Sequence, residues 1–254
     1  MIHPTAIVHP NARLAADVEV GAYSIIGEHV EIGEGTVIGP HVVINGHTRI
    51  GAHNRIFQFC SLGEIPQDKK YANEPTRLEI GDHNTIREFC TFNLGTAQDA
   101  GVTRVGNNNW IMAYVHLAHD CQVGNNTIFA NNAQLAGHVE VDDYAILGGF
   151  TVVHQFVKIG AHIITGMGSI LLQDVPPYVL ASGNPCAPHG INAEGLKRRG
   201  FSSPAIMAIK RAYKTLYKSG LTLADATAAI AQMDEPRLQP MVEFLSKSKR
   251  GIVR

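Results

Sequence analysis

The chain has 254 residues, of which 45% are hydrophobic, and its formal net charge at pH 7 is −1. This composition is typical of a globular protein with a buried core. No apolar run approaches the roughly eighteen residues needed to span a bilayer, and the start "MIHPTAIVHP" lacks the regions of a signal peptide. A cytoplasmic location without a membrane span is therefore expected.

Aliphatic residues recur at every sixth position, and glycine often follows them. The first series is Ile2, Val8, Leu14, Val20, Ile26, Ile32, Ile38, Ile44, Ile50, Ile56 and Leu62. The phase returns at Ile80, Ile86 and Phe92, slips by one residue, and continues from Val105 to Ile159. A period of six fits neither a helix nor a simple alternating strand. It predicts a solenoid of short strands over residues 1–190, in which three hexads form one triangular coil and glycine tolerates unusual turn dihedrals.

Two segments interrupt the repeat. Residues 63–79, "GEIPQDKKYANEPTRLE", keep the phase across an eighteen-residue gap, so we expect a loop that replaces part of one coil. Residues 93–104, "NLGTAQDAGVTR", shift the phase and are expected to project. Long loops within a regular scaffold usually carry function.

The four cysteines form no close pair and no CxxC motif. This spacing predicts neither a disulfide framework nor a structural zinc site, so we expect reduced thiols. Cys60, Cys90 and Cys121 occupy the small-residue position of the hexad, which favours packing over nucleophilic catalysis.

After "QDVPPYVLASGNP" the hexads stop, and residues 191–254 are expected to form a C-terminal α-helical domain. Ser203 and Pro204 are expected as N-cap and first residue of a helix that ends at Gly220. Thr222 and Asp225 resemble a capping box for a second helix, and "LQPMVEFLSKSKR" predicts a third.

Charge is distributed unevenly between these two parts. Residues 191–254 hold twelve Lys or Arg and five Asp or Glu, whereas the preceding residues hold nine and seventeen. A basic surface attracts an acidic protein, a phosphate or a nucleic acid, but nucleic-acid-binding motifs are absent from the sequence.

Residues eighteen positions apart should stack in neighbouring coils, which defines three columns around "VHLAHDC". The columns join His119 to Gly137 and Gln155, Asp120 to His138 and Phe156, and Ala118 to His154. His119, Asp120, His138 and His154 are thus expected at one corner, in outward-facing positions. Gly137 among them leaves room for a substrate atom and exposes a backbone N–H that can stabilise an oxyanion.

A single histidine is more often structural than functional. His41, His47, His53 and His83 are interpreted as solvated turn residues. Clustering favours function for the three corner histidines and leaves both interpretations open for His116. The lysines of "QDKK" are equally compatible with a solvated loop tip and with a binding role.

Several segments beyond the hexads match a known family. They are "QDKKYANEPTR", "HLAHDC", "ANNAQLAGHVEVDDYAILGG", "VHQF", "QDVPPYV" and "INAEGLKRRGFS". Over nearly its whole length the chain resembles the UDP-N-acetylglucosamine O-acyltransferases, which begin lipid A synthesis in Gram-negative bacteria. The resemblance implies a left-handed parallel β-helix, assembled as a homotrimer with active sites between subunits.

The same resemblance implies transfer of an (R)-3-hydroxyacyl group from acyl carrier protein to the glucosamine 3-hydroxyl of UDP-N-acetylglucosamine, without a cofactor or a metal. By motif match, His119 is the general base, Asp120 orients it, and the Gly137 N–H is the oxyanion donor. The substrate-binding candidates are Asp68, Lys70, His116, His138, His154, Gln155, Asn192, Glu194, Arg198 and Arg199. The basic C-terminal part would attract the acidic carrier protein.

Two further positions stand out in the comparison with this family. Met167 in "IITGMGSI" lies where several members carry glycine, and those with glycine accept longer acyl chains. We therefore expect Met167 to act as an acyl-chain ruler that selects decanoyl- or dodecanoyl-type donors. Asn93 and Leu94 replace a more usual histidine and arginine, and the resemblance assigns no contact to them.

Three alternatives remain open. A hexapeptide-type carbonic anhydrase would bind zinc through histidines such as His116, His119 and His138. A non-enzymatic β-helix would repeat polar residues along its faces instead of collecting them at one corner. The related N-acyltransferase of the same pathway normally carries an additional N-terminal uridine-binding domain, whereas hexads begin here at Ile2.

Overall fold

The computed structural model describes residues 1–254. Residues 7–191 form twenty-seven strands, and most of them stack as triangular coils with three parallel sheets as the faces of a prism. Strand partners are eighteen residues apart in the regular coils, as in the pairs Ile7 with Ile25 and Leu117 with Leu135. The predicted parallel β-helix, followed by helices, is confirmed.

In the regular coils each face receives one strand per coil, and the third face ends with an additional antiparallel strand. The first face contains β1 (Ile7–Val8), β4 (Ile25–Ile26), β7 (Val43–Ile44), β10 (Ser61–Glu64), β13 (Thr91–Asn93), β16 (His116–Leu117), β19 (Gln134–Leu135), β22 (Val152–Val153) and β25 (Ile170–Leu171). The second face contains β2 (Arg13–Leu14), β5 (Glu31–Ile32), β8 (His47–Ile50), β11 (Arg77–Ile80), β14 (Val102–Val105), β17 (Gln122–Val123), β20 (Glu140–Val141) and β23 (Lys158–Ile159). The third face contains β3 (Glu19–Val20), β6 (Val37–Ile38), β9 (Arg55–Ile56), β12 (Thr85–Ile86), β15 (Trp110–Ile111), β18 (Ile128–Phe129), β21 (Ile146–Leu147), β24 (Ile164–Thr165), β26 (Val179–Ser182) and β27 (Ala187–Ile191).

The aliphatic series forms the core of the prism. From Val20 to Ile159 its members are buried, because the second residue of each short strand points to the axis. Burying one such side chain contributes roughly 1.5–3 kcal/mol, so the regular repeat is the main source of stability. Ile2 is exposed and Val8 and Leu14 are half-buried, since they lie in the first coils, where stacking is one-sided.

The role expected of the repeat glycines was wrong. Gly21 and Gly33 do not adopt positive φ; a Cβ on either would meet the backbone of the next coil at 2.6–2.7 Å. These glycines therefore permit close approach of the coils. Positive φ occurs two positions later, where it falls on Gly35 after Gly33 but on other residue types in most coils, such as Tyr23, His41 and Asp120.

The first interruption also differs from expectation, because β10, β11 and β12 are all present and no part of a coil is replaced. The loop of residues 65–76 is inserted between β10 and β11, so that Ile50 pairs with Ile80, thirty residues later. The second loop, residues 94–101, lies between β13 and β14 of the next coil. Both loops project from the same prism edge, between the first and second faces, which we call the loop edge.

The C-terminal part begins with a hairpin that the sequence did not predict, in which β26 and β27 pair antiparallel. The helices are α1 (Ala193–Arg198), α2 (Ser203–Lys218), α3 (Leu223–Ala231), a 3-10 turn (Pro236–Leu238) and α4 (Gln239–Lys247). The N-cap of α2 is Ser202, one residue before the expected Ser203. Thr222 caps α3 and bonds Asp225 as expected, whereas α1 was not predicted.

A second apolar core joins these helices to the end of the prism. It contains Tyr178, Ile209, Met241 and Phe244 among its twelve buried residues. The Tyr178 hydroxyl donates to the Arg237 carbonyl at 2.6 Å, which ties the last coil to the 3-10 turn. No helix has the length together with the apolar character that crossing a membrane requires.

An aromatic column lies on the edge between the second and third faces. Tyr144 stacks on His162 at 4.8 Å, and Phe201 meets the same imidazole edge-on at 5.1 Å. Burial, assisted by the charge of Arg199, lowers the pKa of His162 to about 4. His162 is therefore neutral in the folded protein at neutral pH and resists protonation.

This low pKa predicts a specific pH dependence of stability. The unfolded chain protonates His162 near pH 6.5 but the folded chain only near pH 4, so the free energy of unfolding falls as pH drops through that window. His162→Phe keeps a stacked ring that does not titrate, and should remove on the order of 1 kcal/mol of this loss after allowance for partial exposure. Denaturant unfolding at pH 7 and pH 4.5 checks the prediction; identical pH slopes in both proteins would contradict it.

Candidate active site

The loop edge brings the predicted columns together. The His138 N–H donates to the His119 carbonyl at 3.0 Å, and the Phe156 N–H donates to the Gly137 carbonyl at 3.1 Å. Three successive corners, residues 118–121, 136–139 and 154–157, are therefore stacked as the eighteen-residue spacing required. The two inserted loops lie directly before these corners along the same edge.

His119 and Asp120 form a hydrogen-bonded pair at this edge, with 2.9 Å between Nδ1 and Oδ2. A carboxylate oxygen can only accept, so Nδ1 carries the proton and Nε2 presents a lone pair. Asp120 is only 2% exposed, which corrects the expectation that it faces outward. The second loop covers it.

Asp120 can be buried as an anion because several hydrogen-bond donors compensate its charge. Its carboxylate accepts from the Thr96 N–H at 2.9 Å and from the Thr96 hydroxyl at 2.6 Å, in addition to His119. Burial by itself would raise the pKa of Asp120, but these hydrogen bonds outweigh it and hold the pKa below the usual range. The Asp120 N–H donates to the Thr103 hydroxyl, which fixes the left-handed turn.

His138 is held beside this pair by the same loop. Its Nδ1 lies 2.8 Å from Oδ2 of Asp99 and 3.9 Å from Oδ2 of Asp120. The His138 ring meets His119 edge-on at 5.0 Å and stacks on Phe156 at 4.4 Å. These contacts fix the orientation of His138 and leave its Nε2 for another partner.

Gly137 lies against the imidazole of His119. A Cβ built on Gly137 would be 2.5 Å from Cε1 and 2.7 Å from Nε2 of His119. The Gly137 N–H donates no hydrogen bond, whereas the N–H groups of Ala52, Asp82 and Asn125, at the same hexad position on another edge, each donate to a side chain. The free N–H of Gly137 and the Nε2 lone pair of His119 therefore border a space that any side chain at position 137 would fill. This space suits an oxyanion next to a general base.

A groove of about 840 Å³ opens onto this point. Its lining consists of Gln67, Asp68, Lys70, Asn93, Gln98, Asp99, Ala118, His119, Ala136, Gly137, His138, Gln155 and Phe156. The structure thus places five of the predicted residues around His119: Asp68 and Lys70 on the first loop, and Gly137, His138 and Gln155 on the corners. The groove is large enough for a small-molecule substrate.

Other predicted site residues lie elsewhere. His116 is half-buried on β16, where Nδ1 contacts the Thr91 hydroxyl at 2.7 Å, and burial lowers the pKa of His116. His154 lies at the loop edge but outside this groove. Met167 is 80% exposed on the edge between the third and first faces.

Four further candidates are near α1. The Asn192 side chain accepts from the Gly195 N–H and donates to the His162 carbonyl, so it caps the helix. Glu194 and Arg198 form an exposed ion pair at 3.1 Å. Arg199 is half-buried over the ring of Tyr144, and burial lowers the pKa of Arg199. Within one chain, these residues do not reach the groove at the loop edge.

Asn93 and Leu94 have distinct structural roles. Leu94 is 3% exposed and belongs to the main apolar core. The Asn93 amide donates to the Ile65 carbonyl at 3.2 Å, at the base of the first loop, while its Oδ1 has no partner. Asn93 therefore anchors the loop that carries Asp68 and Lys70.

Several contributors could not be found from the sequence. Thr96, Asp99 and Thr103 hold Asp120 and His138, but they follow the phase slip after Phe92. Counting eighteen residues back from Asp120 or His138 therefore does not lead to these three residues. The only available signal was the presence of a long insertion.

His119, Asp120 and His138 also have ligand atoms within 4.8 Å of one another, which bears on the zinc hypothesis. His116, the third histidine of that hypothesis, is absent from this group. The Nδ1 atoms of His119 and His138 already bond carboxylates. A base oriented by a carboxylate accounts for this arrangement.

A hexapeptide β-helix with a histidine–aspartate pair facing a free backbone N–H defines the class of hexapeptide-repeat acyltransferases. Family models agree. Residues 103–137 match "Bacterial transferase hexapeptide (six repeats)", and residues 174–253 match "Udp N-acetylglucosamine O-acyltransferase; Domain 2".

Comparison with individual proteins gives the family. The acyl-[acyl-carrier-protein]–UDP-N-acetylglucosamine O-acyltransferase of Thiobacillus denitrificans is 66% identical over 201 residues, 78% of each chain. LpxA from Acinetobacter baumannii superposes with a TM-score of 0.98 at 49% identity, over 100% of this chain and 99% of that one. The Arabidopsis UDP-N-acetylglucosamine acyltransferase superposes over 100% of both chains, with a TM-score of 0.85 at 34% identity.

The chain belongs to the UDP-N-acetylglucosamine O-acyltransferase family. Its fold is a left-handed parallel β-helix with a C-terminal helical domain, as the resemblance implied. The protein is an acyltransferase, which excludes the carbonic anhydrase and the non-enzymatic scaffold. Because the matched family consists of O-acyltransferases, the N-acyltransferase is excluded as well.

The contact between Gly137 and His119 generates a prediction. Gly137→Ala should force the imidazole to shift, and misplacing a base by about 1 Å can lower kcat on the order of 10²-fold. Gly149→Ala is the matched control, because Gly149 occupies the same hexad position and its added methyl meets only the Asn131 carbonyl, at 3.4 Å. Steady-state turnover and thermal unfolding of both variants test this. Equal kcat values in the two variants would show that the space beside His119 is not needed.

Proposed function

We propose that the protein transfers an (R)-3-hydroxyacyl group from acyl carrier protein to the glucosamine 3-hydroxyl of UDP-N-acetylglucosamine, the first step of lipid A biosynthesis. The observation that carries the proposal is that the His119 imidazole lies against Gly137, whose N–H is free, in the lining of one groove. The printed names of the matched relatives give the same two substrate types.

The chemistry follows from these atoms. His119 Nε2 removes the proton of the sugar 3-hydroxyl while that oxygen attacks the thioester carbonyl, so the C–O bond forms as the imidazole becomes charged. The Gly137 N–H stabilises the tetrahedral oxyanion, and Asp120 stabilises the imidazolium. The C–S bond then breaks, and His119 returns the proton to the departing sulfur.

The residues around His119 supply the contacts to the acceptor. Lys70 is exposed on the first loop and forms no ion pair, so it can reach a phosphate oxygen. Asp68 accepts from the Lys70 N–H at 3.0 Å, which shapes this loop tip. His138 and Gln155 line the opposite wall and offer hydrogen bonds to sugar hydroxyls.

The proposed assembly is a homotrimer in the cytoplasm. Asn192, Glu194, Arg198 and Arg199 lie near the edge between the second and third faces, away from His119 of the same chain. A symmetric ring of three prisms would bring the edge between the second and third faces of one subunit to its neighbour's loop edge. The basic C-terminal part would then attract the acidic carrier protein close to the groove.

A direct assay tests the function. Radiolabelled UDP-N-acetylglucosamine is incubated with the protein and with hydroxyacyl carrier proteins of graded chain length. Labelled acylated nucleotide should form only when a hydroxyacyl donor is present. Absence of transfer from every donor would overturn the proposal.

The assignment of the base gives a first prediction for this function. His119→Ala should lower kcat by on the order of 10²- to 10⁴-fold, because no other group takes the hydroxyl proton. Sedimentation should show an unchanged trimer, since His119 lies outside the aliphatic core. His3→Ala, at an exposed position near the start of the chain, is the control and should retain turnover. Near-normal turnover of His119→Ala would show that another group is the base, and a stable active monomer would exclude the interfacial site.

Met167 gives a second prediction, concerning acyl length. Its exposed side chain can close the far end of a groove along the prism, so extra methylenes would each forfeit about 0.8 kcal/mol. We expect the wild type to prefer a decanoyl- or dodecanoyl-type donor over the myristoyl type. Met167→Gly should shift kcat/KM toward the longer donor and leave KM for UDP-N-acetylglucosamine unchanged. An unaltered chain-length profile would place the end of the groove elsewhere.

A further inference from the structure

The last residues of the chain return to the loop edge. Asp174, which follows β25, is 1% exposed and pairs with the tail in parallel fashion. Its N–H donates to the Gly251 carbonyl at 3.0 Å, and its own carbonyl accepts from the Val253 N–H at 2.9 Å. The tail, residues 248–254, is thereby added to the end of the prism beside the stacked corners.

Side-chain contacts complete this anchor. The Asp174 carboxylate accepts from the Lys158 N–H at 2.8 Å and from the Ser248 hydroxyl at 2.6 Å. Ile252 and Val253 are both 2% exposed, one in each apolar core. Because every polar group of Asp174 is used, the tail has a fixed position.

The anchored tail presents two cations to a second groove. Lys249 and Arg250 line a space of about 410 Å³ that shares Asp99, His138 and Phe156 with the groove at His119. The two grooves therefore meet at the corner that carries the reacting groups.

The acidic residues around this second groove are all engaged by other partners. Glu140 binds Lys158 at 2.7 Å, Asp99 binds His138, and Asp120 binds His119 and Thr96. Asp174 is occupied by the anchor described above. Neither Lys249 nor Arg250 has a carboxylate within 4.0 Å, so both cations remain uncompensated where the two grooves meet.

The one polar contact of the Arg250 guanidinium is weak. Its Nη2 lies 3.3 Å from Nδ1 of His154, and the same Nδ1 lies 3.1 Å from the Gln155 carbonyl. That nitrogen cannot accept from Arg250 and donate to a carbonyl at the same time. If Arg250 moves to an anion, His154 can satisfy the carbonyl with a proton on Nδ1. The guanidinium, which offers five donors, is therefore available to a ligand.

We propose that Lys249 and Arg250 form a phosphate-binding subsite of the active site. The inference rests on the proposed function, in which both substrates carry phosphate: the diphosphate of the sugar nucleotide and the phosphodiester of the carrier's prosthetic arm. His154 lies one coil beyond Ala136 and Gly137, and coils are roughly 4.8 Å apart. A phosphate held by Arg250 is thus within a substrate's length of the reacting oxygen.

Steady-state kinetics with both substrates test the proposal. The double variant with Lys249→Gln and Arg250→Gln should raise KM about 10- to 100-fold for the substrate whose phosphate is bound, with kcat nearly unchanged. A rise for UDP-N-acetylglucosamine identifies the diphosphate, and a rise for the hydroxyacyl carrier protein identifies the phosphodiester. Arg250→Lys should recover part of the loss. Unchanged KM for both substrates would overturn the proposal.

Arg13→Gln combined with Arg49→Gln is the matched control, because it also removes two exposed positive charges, which lie on the second face outside this groove. An equal rise in KM in this control would show that the effect of the double variant comes from overall charge, and it would overturn the proposed subsite. Calorimetric titration with inorganic pyrophosphate and with 4′-phosphopantetheine gives a readout independent of turnover. Binding of one probe by the wild type, lost in the double variant, supports the subsite even if acyl transfer is not observed. Binding of neither probe would overturn it.

Discussion

The stacking of coils at a single strand spacing is the constraint on which the rest of the structure depends. Each coil presents its aliphatic residues to the axis and its glycines to the backbone of the next coil, where a Cβ would collide. Because the coils cannot separate or slip, residues eighteen positions apart are neighbours in space. The position of a functional group is thus determined by the residues stacked above and below it as well as by its own dihedral angles. His119 and Gly137 therefore have a defined separation that depends on no flexible segment.

Insertions can enter such a stack only at the edges, and here both long loops use the same edge. Two consecutive insertions before the reacting corners allow the second loop to fold over Asp120 and the first to form the outer wall. Thr96 and Asp99 then contribute hydrogen bonds that no hexad position supplies. The regular part of the fold provides precision, and the irregular part provides polar partners and a groove.

The hexads were sufficient to predict the β-helix, its eighteen-residue register and the meeting of His119 with Gly137 and His138. They were insufficient wherever register was lost, since the partners of Asp120 follow a phase slip and the tail that binds Asp174 lies seventy-four positions later. The role of the repeat glycines was also misread, because glycine is selected both where coils approach closely and where φ is positive, and the sequence does not distinguish the two causes. The hairpin and the short helix at the end of the prism are too short to show a hydrophobic period, so the sequence did not predict them.

Burial of Asp120 links the order of the second loop to the state of the base. A carboxylate at 2% exposure is destabilised by desolvation unless its lone pairs are filled, and two of its donors come from Thr96 on that loop. If the loop opened, Asp120 would lose these donors and become exposed to water, so its carboxylate would be held less firmly against the His119 Nδ1 proton. The same loop positions His138 through Asp99. Closure of the second loop over the corner therefore holds Asp120 and His138 in place beside His119, an arrangement that the proposed general base requires.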